Sequence, residues 1–128
     1  MSEPLPYRVA VVTGATSGIG RATVDKLCKM GLTVYAVGRS AEALEELAGE
    51  SGAKPIRADV RDTAEIVKQL HGTEVDILIN NAGILSTRAT FSEIEPSEID
   101  AMIDINLKAP MQLTRAFLPA MVERKRGT

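Results

Sequence analysis

Of the 128 residues, one is cysteine (Cys28), one is histidine (His71), none is tryptophan, and aromatic surface comes from only two tyrosines and two phenylalanines. A single cysteine excludes an internal disulfide and fits a reducing compartment, so a cytoplasmic protein is expected. Cys28 falls within a helical pattern and reads as a packing residue, a reactive thiol being the alternative. His71, next to Gly72, reads as the end of a helix rather than as a base or ligand, and no metal site is expected. A net charge of -2 and a pI near 5.4, with no basic stripe interleaved with aromatics, give no electrostatic reason to expect nucleic acid. No apolar run approaches bilayer-spanning length. The polar, proline-containing residues 1–8 read as neither signal peptide nor anchor, so no membrane partner is expected. The length suits one domain with a single core, and residues 1–128 are read as one unit.

What the chain does have is a glycine-rich stretch, Thr13-Gly14-Ala15-Thr16-Ser17-Gly18-Ile19-Gly20, between the apolar run Val9-Ala10-Val11-Val12 and a segment of helical periodicity. Strand, glycine turn and helix start in that order make a cradle for a nucleotide phosphate. The spacing differs from G-x-G-x-x-G, and a glycine-rich surface loop is the bland alternative.

The rest of the chain alternates strands and helices. Ile19, Ala22, Thr23, Leu27 and Met30 recur at helical spacing until Gly31. Val34 to Val37 forms a second strand, and Ser40 caps a helix carrying Leu44, Leu47 and Ala48, with Gly49 and Gly52 at its exit. The third strand, Lys54 to Ala58, contains Pro55 and so belongs at a sheet edge or at its own first residues. Asp62 or Thr63 caps the next helix. Val75 to Asn80 reads as a strand buried on both faces, followed by Asn81-Ala82-Gly83. After a polar loop, a long helix from Pro96 or Ser97 to Arg126 is expected to bend or break at Pro110 and Pro119 and to end at Gly127. Arg124-Lys125-Arg126 would complement its dipole. This pattern predicts an α/β Rossmann-type doubly wound parallel sheet in the order three-two-one-four, with the ends of strands one and four at the switch point.

Four landmarks then resemble the short-chain dehydrogenase/reductase family: TGATSGIG at Thr13 to Gly20, the pair Asp59-Val60, NNAG at Asn80 to Gly83, and Asn106 within Ile105-Asn106-Leu107. The resemblance implies that Gly14, Thr16, Ser17, Gly18, Ile19 and Gly20 hold a cofactor's pyrophosphate and adjoining ribose. It implies that Asp59 and Val60 bracket the adenine, Asp59 accepting from its amine, although Asp59 could instead cap a helix. Asn81, Ala82 and Gly83 would sit against the nicotinamide-side ribose, while Asn80 ties neighbouring strands. Asn106 is the one member of the family's catalytic group found here, a helix-kink hydrogen bond being its structural alternative.

At the end of the second strand, where NAD-binding folds usually place an acid, this chain has Gly38-Arg39. Glycine leaves room for a 2′-phosphate and a guanidinium grips one, so NADP(H) is expected, with NAD(H) as the alternative. The implied activity is hydride transfer between nicotinamide and a small carbonyl or alcohol substrate. A serine and a Tyr-x-x-x-Lys pair also belong to that chemistry, yet neither Tyr7 nor Tyr35 has a lysine four residues on. The chain is therefore expected to be the N-terminal portion of a longer enzyme and inactive alone. A non-catalytic or engineered nucleotide-binding fragment, or an oligomerisation module, would be the alternatives. The segment from Asp59 to Asn80 is short for the family, so its helix should be brief. Ile84, Leu85, Ser86, Thr87 and Arg88 are read as part of the near wall of a substrate site. Apolar residues spread around the final helix suggest a homo-oligomer built on it.

Overall fold

The computed structural model describes residues 6–86 and 90–128; Thr87 and Arg88 of the expected near wall lie outside them. Strand β1 (Val9–Thr13) leads through the glycine turn into helix α1 (Gly18–Lys29). Strand β2 (Thr33–Gly38), helix α2 (Ala41–Ser51) and strand β3 (Lys54–Arg57) follow. Helix α3 (Thr63–Gln69) and strand β4 (Ile77–Ile79) complete a parallel sheet in the order β3-β2-β1-β4. Pro55 sits on β3, at the edge of the sheet, where a residue without an N–H is tolerated. The expected fold class and strand order are those observed.

Alternation along β1 explains the layering. Ala10 and Val12 pack with Val24, Val34, Leu44 and Leu47 on the face covered by α1 and α2. Val11 points the other way, with Val37, Ile56, Ile66, Leu70 and Leu113. β1 lies between β2 and β4 and is buried from Ala10 onward, so its apolar side chains find a hydrophobic destination whichever way the pleat directs them.

Local signals account for most boundaries. The Ser40 hydroxyl accepts from Ala43 N at 3.2 Å, and the Asp62 carboxylate accepts from Glu65 N at 3.1 Å. Gly52 closes α2 at φ +81°, while Gly49 lies inside that helix rather than at its exit. The face that α1 buries carries Gly20 and Val24, with Leu27 and Cys28 partly covered; Ile19 and Met30, read as members of the same stripe, are exposed. Burial pushes the Cys28 thiol up, which is the behaviour of a packing residue rather than a reactive one.

The final helical region departs most from expectation. It runs as helix α4 (Pro96–Ile103), a π turn (Asp104–Lys108) and helix α5 (Ala109–Arg124). The break comes before Pro110, whose missing N–H falls in the first turn of α5, and Pro119 leaves α5 continuous. Lys125, at φ 54°, closes α5 two residues before Gly127. Arg124 and Arg126 do more than complement a dipole. Arg124 Nη2 donates to the Val75 carbonyl at 2.8 Å, and Arg126 donates to the Asp76 carboxylate from Nε at 2.9 Å. Thr128 then runs beside β4: its N donates to Asp76 O and its O accepts from Leu78 N, both at 2.9 Å, the parallel-ladder pattern.

Candidate functional site

The carboxyl ends of the strands converge on one crevice of ≈ 180 Å³, lined by Gly14, Thr16, Gly38, Arg39, Asp59, Val60, Ala82 and Gly83, with Ile84 and Ile105. A larger groove of ≈ 510 Å³ runs between β4 and α5, and none of the sequence-predicted site residues lines it. The crevice is at the switch point, where β2 and β4 flank β1, which is the place that open α/β sheets offer to a ligand.

Close backbone approach shapes its floor. Gly14 lies at φ +59°, and a Cβ on it would come within 2.8 Å of Ala82 Cα. A Cβ on Gly20 would overlap the Gly14 carbonyl and the Asn81 side-chain amide. Gly18, at φ +54°, has open space where its Cβ would project, so its glycine meets a conformational need rather than a packing one. Ser17, Gly18 and Ile19 are exposed, and Ser17 occupies the N-cap of α1 without a side-chain cap bond. With no acidic residue in the first turn, the helix end keeps its positive field, the property that an anion needs.

Thr13 and Asn81 hold this floor together. The buried Thr13 hydroxyl accepts from Asn81 N and Ala82 N, each at 3.0 Å, and donates to Ile79 O at 3.4 Å. In return Asn81 Nδ2 donates to the carbonyls of Thr13 and Gly14 at 3.2 and 3.1 Å. The Asn81 side chain is thus committed to the glycine turn. Asn80, expected to tie strands, instead donates to Thr114 Oγ1 of α5 at 3.2 Å. Thr13 escaped the sequence reading as a site residue; its signal was a hydroxyl at the end of an apolar strand, which needs partners once buried.

Asn106 lies on the π turn, and its side chain clamps one residue. Ile84 N donates to Asn106 Oδ1 at 2.8 Å and Asn106 Nδ2 donates to Ile84 O at 2.7 Å. With Ala82, Gly83, Ile84 and Leu85, Asn106 lines a second hollow that continues from the crevice. The clamp fixes the chain leaving Gly83 against the π turn.

On the opposite wall, Asp59 is not a helix cap; Asp62 is. The Asp59 carboxylate accepts from Arg61, whose side-chain fork lowers its pKa to about 2 against the opposing effect of desolvation. Arg39 is exposed beyond Gly38, its carbonyl accepting from Arg57 Nε at 3.4 Å. Among the described residues, no group of three His, Cys, Asp or Glu side chains could hold a metal ion, and no helix is long and apolar enough to cross a membrane.

The glycine floor, the uncapped helix end and a cation beyond Gly38 fit a dinucleotide carrying phosphate on its adenosine side. Residues 8–128 match the family model described as short chain dehydrogenase. A short-chain type dehydrogenase/reductase of Sinorhizobium fredii is 45% identical over 121 residues, covering 94% of this chain and 49% of the relative. The NADP-dependent 3-hydroxy acid dehydrogenase of Shigella flexneri is 37% identical over 126 residues, covering 93% of this chain and 51% of its own length. Among solved structures, a metagenomic short-chain oxidoreductase in complex with NADP superposes with a TM-score of 0.86 at 38% identity, covering 94% of this chain and 59% of that one. The chain spans about half the length of the curated relatives it matches.

Proposed function

This chain belongs to the short-chain dehydrogenase family, and on that premise we propose that it binds NADP(H) in the crevice between β1, β2 and β4, for oxidoreduction of a small carbonyl or alcohol compound. The observation that carries the reading is the crevice itself: Gly14, the pair Gly38 and Arg39, Asp59 and Ala82 come from the carboxyl ends of four different strands to one cleft beside the N-terminus of α1. When bound, the nicotinamide supplies hydride transfer to or from the substrate carbon. The backbone from Gly14 to Gly20 would hold the pyrophosphate and its ribose, with Thr16, Ser17, Gly18 and Ile19 presenting main-chain N–H groups or open space. Asp59 and Val60 would bracket the adenine; Ala82 and Gly83, small and backed by Asn81, would flank the nicotinamide-side ribose. Asn106 would serve by holding Ile84 and the hollow beside it in place.

Arg39 favours NADP(H) over NAD(H), since a guanidinium can take a 2′-phosphate in a bidentate grip that an acid at this place would repel. Relatives described as NADP-dependent or solved with NADP support the same preference. The test is fluorescence titration of NADPH and NADH against this chain. NADPH is expected to bind at least about tenfold more tightly. Arg39→Asp is expected to weaken NADPH by about 10- to 100-fold, the loss of one or two charge-assisted hydrogen bonds, while leaving NADH within a few-fold. An unchanged preference would overturn the assignment. Binding is the proper readout because the chain has no Tyr-x-x-x-Lys and is read as inactive without such a pair.

We also read α4 and α5 as an assembly surface. Ile99, Ile103, Leu107 and Met111 recur every fourth residue and are exposed, whereas Ile105, Ala109 and Leu113 turn inward. An apolar row of this kind suits an isologous pairing of helices from two copies. Light scattering across a concentration series should show dimers or larger species, and Met111→Lys should shift them to monomer. A wild type that stays monomeric throughout would exclude this surface. The single cysteine agrees with a cytoplasmic location.

A further inference from the structure

Arg61 belongs to none of the landmarks, yet it makes three bonds to a crevice residue. Its main-chain N and its Nε both donate to Asp59 Oδ1, at 2.9 and 3.0 Å, and its Nη2 donates to Asp59 Oδ2 at 2.7 Å. Asp59 lines the crevice; Arg61 does not, and its guanidinium stays on the solvent side, 43% exposed. The arrangement therefore acts on Asp59 from behind.

Two consequences follow from the valence of a carboxylate. An ionised carboxylate has about four lone-pair positions, two on each oxygen. Arg61 fills both on Oδ1 and one on Oδ2, so one acceptor position is left, on Oδ2. The planar fork also removes rotation about the carboxylate's own axis, because a lysine ammonium or a water could follow that rotation and a fork cannot. The group facing the crevice is thus a fixed anion with a single vacant acceptor site, suited to one N–H donor and hostile to a carbonyl oxygen.

We propose that Arg61 is a positioning residue that sets purine selectivity at this site, orienting Asp59 so that the crevice takes a 6-amino purine and rejects a 6-oxo purine. The proposal rests on the reading of the crevice as a dinucleotide site. It assigns Arg61 no contact with cofactor or substrate.

The experiment compares NADPH with its hypoxanthine counterpart, which carries a carbonyl in place of the exocyclic amine, by fluorescence titration of the full chain. Wild type is expected to prefer NADPH by roughly tenfold, the scale of one hydrogen bond to a charged group exchanged for a repulsive contact. Arg61→Ala should reduce that ratio to about two- to threefold, chiefly by weakening NADPH, and Arg61→Lys should fall between. In an Asp59→Asn background the Arg61→Ala change should leave the ratio unaltered, since the group that Arg61 orients is gone. Nicotinamide mononucleotide, which lacks the purine, should bind all variants alike. A wild-type ratio retained in both Arg61 variants would overturn the positioning role. Absence of NADPH binding by the folded wild type would instead overturn the dinucleotide reading on which it rests.

Discussion

Asp76→Ala is expected to destabilise the fold by about 1–3 kcal/mol, the range found when a buried acceptor is removed and its donors are left unsatisfied. Asp76 is wholly buried in the approach to β4. Its Oδ2 accepts from Arg8 N at 2.8 Å and Val9 N at 3.1 Å, and its Oδ1 accepts from Arg126 Nε at 2.9 Å, with Nη2 of the same guanidinium in ion-pair contact at 2.8 Å. One side chain thereby joins the entry to the central strand, the entry to β4 and the segment leaving α5. Alanine would leave two main-chain donors and a guanidinium without their acceptor, and the penalty for stranded donors exceeds the net worth of the bonds. Urea unfolding followed by circular dichroism measures the change; a loss below about 1 kcal/mol would show that water replaces the carboxylate at little cost.

The same group predicts an acid dependence. Burial acts to raise the Asp76 pKa, but the N–H groups of Arg8 and Val9 and the charge of Arg126 outweigh it and hold the carboxyl below its ordinary value. A folded pKa below the unfolded one means that the stabilisation is present above about pH 4, the unfolded carboxylate range, and is lost as pH falls through the folded pKa. Asp59 is depressed as well and contributes in the same direction. The acid limb of stability should therefore be shallower in Asp76→Ala than in wild type.

Gly20→Val is expected to abolish NADPH binding, by at least about 100-fold, and to destabilise the fold by about 1–3 kcal/mol through overpacking. The Cβ would meet the Gly14 carbonyl and the Asn81 amide together. Trimming Asn81 to alanine cannot rescue it, since the backbone oxygen remains. Gly18→Ala separates the two effects. Its Cβ has room, and only the left-handed φ of +54° is penalised, at about 1–2 kcal/mol. That variant should stay folded while losing part of its affinity. Thermal denaturation and NADPH titration of both variants check this, and a Gly20→Val protein that binds like wild type would refute the close packing of the glycine turn against Asn81.

Much of the site was legible because its signals are local. A glycine demanded by a tight turn, an edge proline and a serine cap each act through the few residues beside them. The π turn was not legible, because Pro110 and Pro119 look alike in sequence. Pro110 falls in the first turn of α5, where its N–H is not missed, and the break precedes it; Pro119 sits inside α5 without interrupting it. The length of β4 was overestimated for a related reason. Val75 and Asp76 are as buried as strand residues, which is what an apolar run reports, but the register with β1 takes in only Ile77 to Ile79.

Hydrophobic period, turn chemistry and the spacing of the four landmarks sufficed for the element order, the sheet order and the place of the crevice. These follow from short-range stereochemistry and from the few ways that βαβ units can connect. The partnerships that make the crevice rigid did not follow from them. Thr13 meets Asn81 and Ala82, Asn106 meets Ile84, and Asp76 meets Arg8 and Arg126 across stretches of 22 to 69 residues. Such pairs exist only once the sheet has brought distant segments within hydrogen-bond reach and excluded the water that would otherwise satisfy each group separately.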